Sequence, residues 1–93
     1  MEEGKLVGTV TRYYAAGHTA EVELKDRLQV GNCIRIKGKT TDFVQTVEFI
    51  YIGYKRPVKK SSSGRTIWLG VIKRVHKDDE VFLISKEPCN QNT

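Results

Sequence analysis

The sequence predicts a small all-β domain, either a β-barrel or a β-sandwich. Apolar and polar residues alternate with a period of two over several short segments. Clusters of glycine, asparagine, aspartate and serine separate these segments. No apolar stripe with helical spacing persists for the ~11 residues of an average helix. With 93 residues in all, we expect one domain over residues 1–86 and a polar, frayed tail over residues 87–93.

Three strands are predicted in the first 40 residues. Residues 6–14 are rich in β-branched and aromatic residues, which favour strands. In residues 20–24 three apolar residues alternate with two glutamates, so we predict a half-buried strand with an acidic outer face. Residues 33–37 alternate two isoleucines with Arg35 and Lys37, which predicts a strand with a basic outer face.

Three further strands are predicted in the rest of the chain. Residues 43–52 read as one strand, although apolar residues occupy both parities near its end. That pattern indicates a bulge or burial on both faces. Residues 66–72 are typical of a central strand, and residues 80–84 of a closing one.

The predicted turns fall between these strands. The pair at 17–18 turns the first hairpin, and the Val-Gly-Asn sequence at 30–32 makes a tight turn in which glycine or asparagine supplies a positive φ. Residues 38–42 link two strands and residues 77–79 form the last turn. Residues 53–65, with Pro57, three serines and two glycines, are predicted to be the longest loop.

The positive charge is concentrated in the middle of the chain. The formal net charge is +5, but residues 35–77 carry +9 between mildly acidic ends. Flexible cations at this density suit contacts to phosphates, and such contacts predict a nucleic-acid-binding site whose affinity depends on salt. The residues that we predict to bind nucleic acid are Arg35, Lys37, Lys55, Arg56, Lys59, Lys60, Arg65, Lys73 and Arg74. Ordinary solubility and protection of strand edges are the alternative explanation of these charges.

Three aromatic residues near this basic segment admit two interpretations. Tyr51, Tyr54 and Trp68 have the chemistry to stack on unpaired bases. Small β domains, however, use most of their aromatic residues for packing. We therefore favour packing in the core or at the end of a barrel.

The cysteines and histidines do not predict a metal site. Cys33 and Cys89 lie far apart, and neither is spaced as a ligand partner of His18 or His76. We expect two free thiols in a reduced cytoplasmic protein, with a disulfide from Cys33 to the tail as the open alternative. No apolar run approaches the ~20 residues of a membrane span, and the acidic start is unlike a secretory signal.

Catalytic motifs are absent from the sequence. It contains neither a Gly-x-x-x-x-Gly-Lys-Ser/Thr loop for nucleotide phosphates nor a Gly-x-Ser-x-Gly elbow. Residues 61–64 read as a flexible loop, and Cys33 has no base near it in sequence. We therefore predict a binding protein that is not an enzyme and that needs no cofactor, metal or nucleotide.

Several motifs in fixed order resemble a known family. They are the Val-Gly-Asn turn at 30–32, Ile-x-Ile-x-Gly at 34–38, Asp-Phe-x-Gln-x-Val-Glu at 42–48, and residues 64–71 followed by 78–81. In this order they resemble the translation elongation factor-like proteins, which are similar to the second domain of elongation factor Tu. The resemblance covers about residues 5–85. Asn32, Asp79 with Glu80, and Trp68 depart from the family pattern.

This resemblance implies a closed six-stranded antiparallel, Greek-key-like β-barrel of the translation-protein type. It also implies an RNA-binding module that contacts tRNA or ribosomal RNA. A similar barrel with a comparable Asp-Phe-x-Gln-Thr-Val-Glu stretch is the C-terminal module of collagenase-like peptidases. The alternative function is accordingly that of an adaptor that docks on a larger enzyme or factor.

Overall fold

Ten short strands and one 3₁₀ turn, Ala15–Gly17, form the part of the chain that the computed structural model describes, residues 4–53 and 56–89. Within these ranges there is no α-helix, so the predicted all-β class is confirmed. The strands are β1 (Lys5–Tyr14), β2 (Thr19–Leu24), β3 (Leu28–Gln29), β4 (Cys33–Lys37), β5 (Asp42–Thr46), β6 (Ile50–Ile52), β7 (Arg56–Val58), β8 (Lys60–Ser61), β9 (Thr66–Gly70) and β10 (Glu80–Ser85).

Eight of these strands form one antiparallel sheet in the order β5-β4-β10-β1-β2-β9-β6-β7, and β3 pairs with β8 in a second sheet. The large sheet ends at β5 on one side and at β7 on the other, and among the described residues no strand pairing joins the two ends. Pro57 lies in the edge strand β7, where its missing N–H leaves no ladder bond unmade. The closed six-stranded, Greek-key-like barrel is therefore not confirmed.

The difference from the predicted strands begins at Val47. The backbone N–H of Val47 donates to the Asn32 carbonyl at 2.9 Å, and the Gly31 N–H donates to the Val47 carbonyl at 2.9 Å. These bonds attach Val47 to the turn that precedes β4, so the predicted strand over 43–52 is divided into β5 and β6. Gly31 supplies the positive φ of that turn, at 98°. The predicted loop over 53–65 contains the short strands β7 and β8.

One hydrophobic core lies against the inner face of the sheet. Alternate residues of β2, β4 and β9 point inward, and Val22, Ile36 and Leu69 have no exposed surface. The same core cluster includes Phe43 of β5 and Ile50 of β6, which come from opposite halves of the strand order. The sheet is therefore strongly curled around a single core, although its edges are not paired.

The side chain of Gln45 connects β5 with the segment that follows β9. Its Nε2 donates to the Gly70 carbonyl at 2.9 Å, and its Oε1 accepts from the Ile72 N–H at 2.8 Å. Gln45 itself is buried, so these bonds satisfy both polar atoms of its amide within the fold. One amide thus makes a link between regions of the curled sheet that backbone pairing leaves unconnected.

A disulfide joins Cys33 to Cys89, with 4.7 Å between their Cα atoms. β10 runs antiparallel to β4 and pairs Ser85 with Cys33, so the chain leaves β10 beside the first cysteine. The Cys89 N–H donates to Thr46 Oγ1 at 3.0 Å, which fixes the approach. The prediction of two free thiols is wrong because strand pairing brings together residues that are 56 positions apart in sequence.

The disulfide also bears on the predicted cytoplasmic location. That prediction depended on reduced thiols, and disulfides persist mainly in oxidising compartments. It therefore loses the observation on which it depended.

Among the described residues no helix is long and apolar enough to cross a membrane. Residues 87–89 are described but 90–93 are not, so the prediction of a frayed tail stays a prediction.

Breaking the disulfide is expected to lower the free energy of unfolding by about 2–4 kcal/mol, because the crosslink restricts a long loop of the unfolded chain. Urea unfolding of the wild type with and without reductant measures this change. The double variant Cys33→Ser/Cys89→Ser is the matched control and should not respond to reductant. Equal unfolding midpoints for the oxidised and reduced wild type would contradict the assignment.

Removal of the Gln45 amide is expected to destabilise the fold by about 1–3 kcal/mol in all, because two part-buried hydrogen bonds are lost. Gln45→Ala exposes this loss in urea unfolding, and Gln29→Ala, at an exposed glutamine on β3, is the control. The control should change stability by less than about 0.5 kcal/mol. Equal effects of the two variants would show that the Gln45 link does not stabilise the sheet.

Candidate functional site

The outer face of the large sheet carries a row of large side chains. On β9, Ile67 and Leu69 point into the core, so Trp68 between them points outward. Trp68 pairs with Tyr51 of β6 on one side and with Glu21 of β2 on the other. The sheet register therefore places one aromatic pair and a carboxylate side by side on the outer face.

These rings line a depression that we name the aromatic groove. Its walls are Tyr14, Phe49, Tyr51 and Trp68, with Thr19 and two glycines, and its volume is about 750 Å³. The Phe49 and Tyr51 rings are 5.0 Å apart between centroids and tilted by 49°. Phe49 is 36% exposed and Tyr14 is 39% exposed. The groove is thus a largely aromatic surface open to solvent.

Neighbouring groups hold two of these rings in place. The Tyr14 hydroxyl donates to Glu21 Oε1 at 3.0 Å, and the Thr11 hydroxyl donates to Glu21 Oε2 at 3.0 Å. The Phe49 ring lies directly over Gly70, where any Cβ would overlap it. The glycine at position 70 therefore makes room for the ring on the sheet surface.

A second depression, the cationic concavity, lies near the aromatic groove. Four cationic side chains surround it, and Leu28, Ile52 and Leu83 form its apolar floor. The four cations are Arg27, Lys60, Arg65 and Lys86. Its volume is about 670 Å³, and none of the described residues that line it carries a carboxylate. The lining therefore has the charge of an anion-binding surface.

Short backbone contacts assemble the cationic concavity from distant segments. β3 pairs with β8, and the Val30 N–H donates to the Lys59 carbonyl at 2.8 Å. The buried Asn32 accepts from the Gln29 N–H at 3.0 Å and donates from Nδ2 to the Lys86 carbonyl at 2.9 Å. These bonds fix the backbone beneath the cations.

A small cleft connects the two depressions. It is lined by Ile52, Gly53, Arg56, Arg65 and Thr66, with a volume of about 580 Å³. It shares Ile52 and Arg65 with the cationic concavity, and Gly53 with the aromatic groove. The three depressions therefore adjoin one another, the aromatic groove and the cationic concavity being separated by the cleft alone.

Three of the nine residues predicted to bind nucleic acid meet at this surface. Arg56, Lys60 and Arg65 are exposed and line the cationic concavity or the connecting cleft. Lys59 is exposed between β7 and β8, and its carbonyl belongs to the contact with Val30. Lys55 lies outside the described residues.

The other predicted residues lie on different parts of the outer surface. Arg35 of β4 forms a two-point ion pair with Asp42, with Nε–Oδ1 at 2.7 Å and Nη2–Oδ2 at 2.8 Å. Lys37 is directly opposite Asp42 on the neighbouring strand. Lys73 and Arg74 follow β9, and the Arg74 guanidinium lies 5.6 Å from the Tyr13 ring centroid. The structure therefore does not gather the nine residues on one face.

Four residues of the site were not predicted from the sequence. Arg27 and Lys86 lie outside the basic middle segment, and only the contacts of β3, β8 and β10 bring them to the concavity. Tyr14 and Phe49 were assigned to strands without a surface role. The sequence signal that could have indicated a surface role for Phe49 is the run of consecutive apolar residues near it, which cannot all point into the core. Tyr51 and Trp68 are not members of the core cluster, so packing in the core, one of the two forms of packing that we favoured for these rings, is wrong for them. Tyr54 lies outside the described residues.

Comparison with known proteins identifies the fold. Two similar solved structures are both the C-terminal domain of a Geobacillus thermoleovorans protein assigned to the U32 peptidases, one as its selenomethionine variant. Each has a TM-score of 0.80 and 15% sequence identity. They cover 85% and 84% of this chain, and 91% and 98% of their own chains. No protein-family model and no curated protein matches the chain.

These comparisons correct the resemblance to translation elongation factors. The matching structures are C-terminal domains of a peptidase and not elongation-factor barrels. The assignment to elongation factor-like proteins is therefore wrong, and RNA binding loses the support that it drew from that resemblance. The second resemblance, to the C-terminal module of peptidases, agrees with the structures found.

The ion pair of Arg35 predicts a measurable titration. The Arg35 guanidinium, hydrogen bonded to Asp42, lowers the pKa of that carboxyl below its ordinary value. The stability that this ion pair contributes is therefore fully present above the pKa that Asp42 has in the unfolded chain. It is lost as the pH falls through the pKa of Asp42 in the folded protein. In Arg35→Gln we expect the Asp42 pKa to rise, measured by NMR of the side-chain carboxyl carbon.

Asp26 is the internal control for this titration. The pKa of the Asp26 carboxyl is also lowered, chiefly by a hydrogen bond from the Lys5 side chain, and Arg35 is not among the groups that lower it. The Asp26 pKa should be the same in the wild type and in Arg35→Gln. An unchanged Asp42 pKa in the variant would show that the pair does not form in solution.

Proposed function

We propose that this chain is a non-catalytic module that docks on a larger protein through the aromatic groove. The observation that carries the proposal is the groove itself, in which Tyr14, Phe49, Tyr51 and Trp68 lie together on the outer sheet face. Aromatic residues are enriched in protein interfaces and contribute a large share of binding energy there. A cluster of four aromatic rings on one surface has the chemistry that is expected of a protein-binding site.

The rigidity of the groove favours tight docking. Tyr51 and Trp68 lie on paired strands, Tyr14 is held by Glu21, and Phe49 rests on Gly70. Rings that are already ordered lose little conformational entropy on binding. The apolar area that the partner covers then contributes about 25 cal/mol per Å² before the cost of association is subtracted.

The fold comparison supports a docking role in a second way. The similar structures are a C-terminal domain, and hence one part of a longer protein. A unit of this fold thus accompanies other domains in at least one protein. We propose that residues 1–86 form the corresponding unit here and that its partner is a larger enzyme.

The residues available for chemistry support the non-catalytic part of the proposal. His76 Nδ1 lies 3.1 Å from Thr41 Oγ1 and 3.9 Å from Asp79 Oδ2. Both oxygens therefore approach the same ring nitrogen. A nucleophile–base relay requires them on opposite nitrogens of the imidazole. The Asp79 Oδ2 atom also accepts the His76 N–H at 2.8 Å, which is the pattern of a turn.

The docking role is tested with Phe49→Ala, compared with Leu6→Ala. Both side chains are 36% exposed in the wild type, but only Phe49 lines the groove. The immobilised chain should capture one dominant protein from a lysate, and the capture should survive nuclease treatment. Phe49→Ala should weaken binding of that protein by roughly 30-fold, a loss of about 2 kcal/mol, because an interface aromatic is removed.

Trp68 provides an independent readout of the same event. It is the only tryptophan in the chain and lies in the groove. Its emission should shift to shorter wavelength when the captured protein, purified, is added and water is excluded from the groove. Equal capture by Phe49→Ala and Leu6→Ala, or capture that nuclease abolishes, would contradict the proposal.

A further inference from the structure

We propose that the cationic concavity binds an acidic peptide segment of the docked partner, an inference that rests on the proposed docking function. The concavity brings together Arg27, Lys60, Arg65 and Lys86. None of these four side chains forms an ion pair with another described residue. The Asp26 carboxylate beside Arg27 is ion-paired with Lys5, so the four cations outnumber the carboxylates near them and favour an anionic occupant.

The floor and the polar rim suit a peptide. Ile52 and Leu83 are half-buried and offer apolar contacts beneath the cations, above the fully buried Leu28. Ser62 adds an exposed hydroxyl group, whereas the Ser61 hydroxyl is buried and has no hydrogen-bond partner among the described residues. A glutamate or aspartate side chain brings carboxylate oxygens for the cations and the Ser62 hydroxyl, while its neighbours in a peptide contact the floor.

Continuity with the aromatic groove identifies the acidic segment as part of the docked protein. The connecting cleft shares residues with both depressions, and Arg56 and Arg65 line it. A polypeptide that places apolar side chains in the aromatic groove therefore reaches the cationic concavity without leaving the surface. The partner segment should combine an apolar anchor with acidic residues on one side of it.

The charges beside the aromatic groove favour a peptide over a nucleic acid. Glu21 is the cross-strand neighbour of Trp68, and Glu23 follows it on the same outer face of β2. A nucleic acid whose bases stack on these rings carries phosphates along its whole length, and single-strand binding sites follow the backbone with positive charge. Carboxylates here repel such a backbone, whereas a peptide can confine its negative charge to the cationic end.

The test uses an oligo-glutamate peptide as the probe and follows backbone amide shifts of the full chain by NMR. Saturable shifts are expected at residues that line the cationic concavity, such as Gln29 and Ser62. The double variant Lys60→Glu/Arg65→Glu should weaken binding of the peptide by roughly tenfold or more, because two attractive charge interactions become repulsive. The control Lys73→Glu/Lys77→Glu changes the net charge equally at exposed residues outside the concavity.

The remaining arms separate the possible outcomes. Equal weakening by the two double variants, absence of saturation, or tighter binding of an oligo-uridylate of matched charge would overturn the inference. If oligo-glutamate fails to bind while Phe49→Ala still weakens partner capture, the docking function stands and this inference falls. If oligo-glutamate binds but Phe49→Ala leaves capture unchanged, the docking function falls, and with it the identification of the occupant as a partner segment.

Discussion

The Gln45 amide is the constraint on which the form of this domain depends. The large sheet has two unpaired edges, yet residues from opposite ends of its strand order belong to one core. Gln45 bonds to Gly70 and Ile72 and so holds β5 against the end of β9 without a strand ladder. Because Gly70 also lies beneath Phe49, the same segment that receives the Gln45 amide supports a wall of the aromatic groove. The link that shapes the core therefore also shapes the candidate interface.

The parts of the fold that follow from local sequence were predictable. Alternation of apolar and polar residues in β2 and β4 identifies both the strands and their buried faces. The division of the predicted 43–52 strand was not, because it depends on bonds from Val47 to a turn distant in sequence. The disulfide was missed for the same reason, since only the pairing of β10 with β4 brings the chain end to Cys33. Long-range pairing, and not local propensity, determines these features.

The candidate site shows a similar division between composition and geometry. Arg56, Lys60 and Arg65 of the basic middle segment line the cationic concavity or the connecting cleft, whereas Arg35 is ion-paired with Asp42 in a different environment. Arg27 and Lys86 come from outside that segment and complete the concavity. Net charge along a sequence thus indicates that an anionic partner is plausible, whereas the fold decides which cations act together. The outward direction of Trp68 follows from alternation in β9, and the position of Phe49 follows from the break after β5.

The proposed docking requires that a protein partner cover the outer face around Trp68. NMR cross-saturation from the captured partner to the amides of this chain locates the covered face. We expect signals from β6 and β9, which carry Tyr51 and Trp68, to be attenuated and those of β4 around Arg35 to be unaffected. Attenuation centred on β4 and β5, with β6 and β9 unchanged, would contradict the proposed docking.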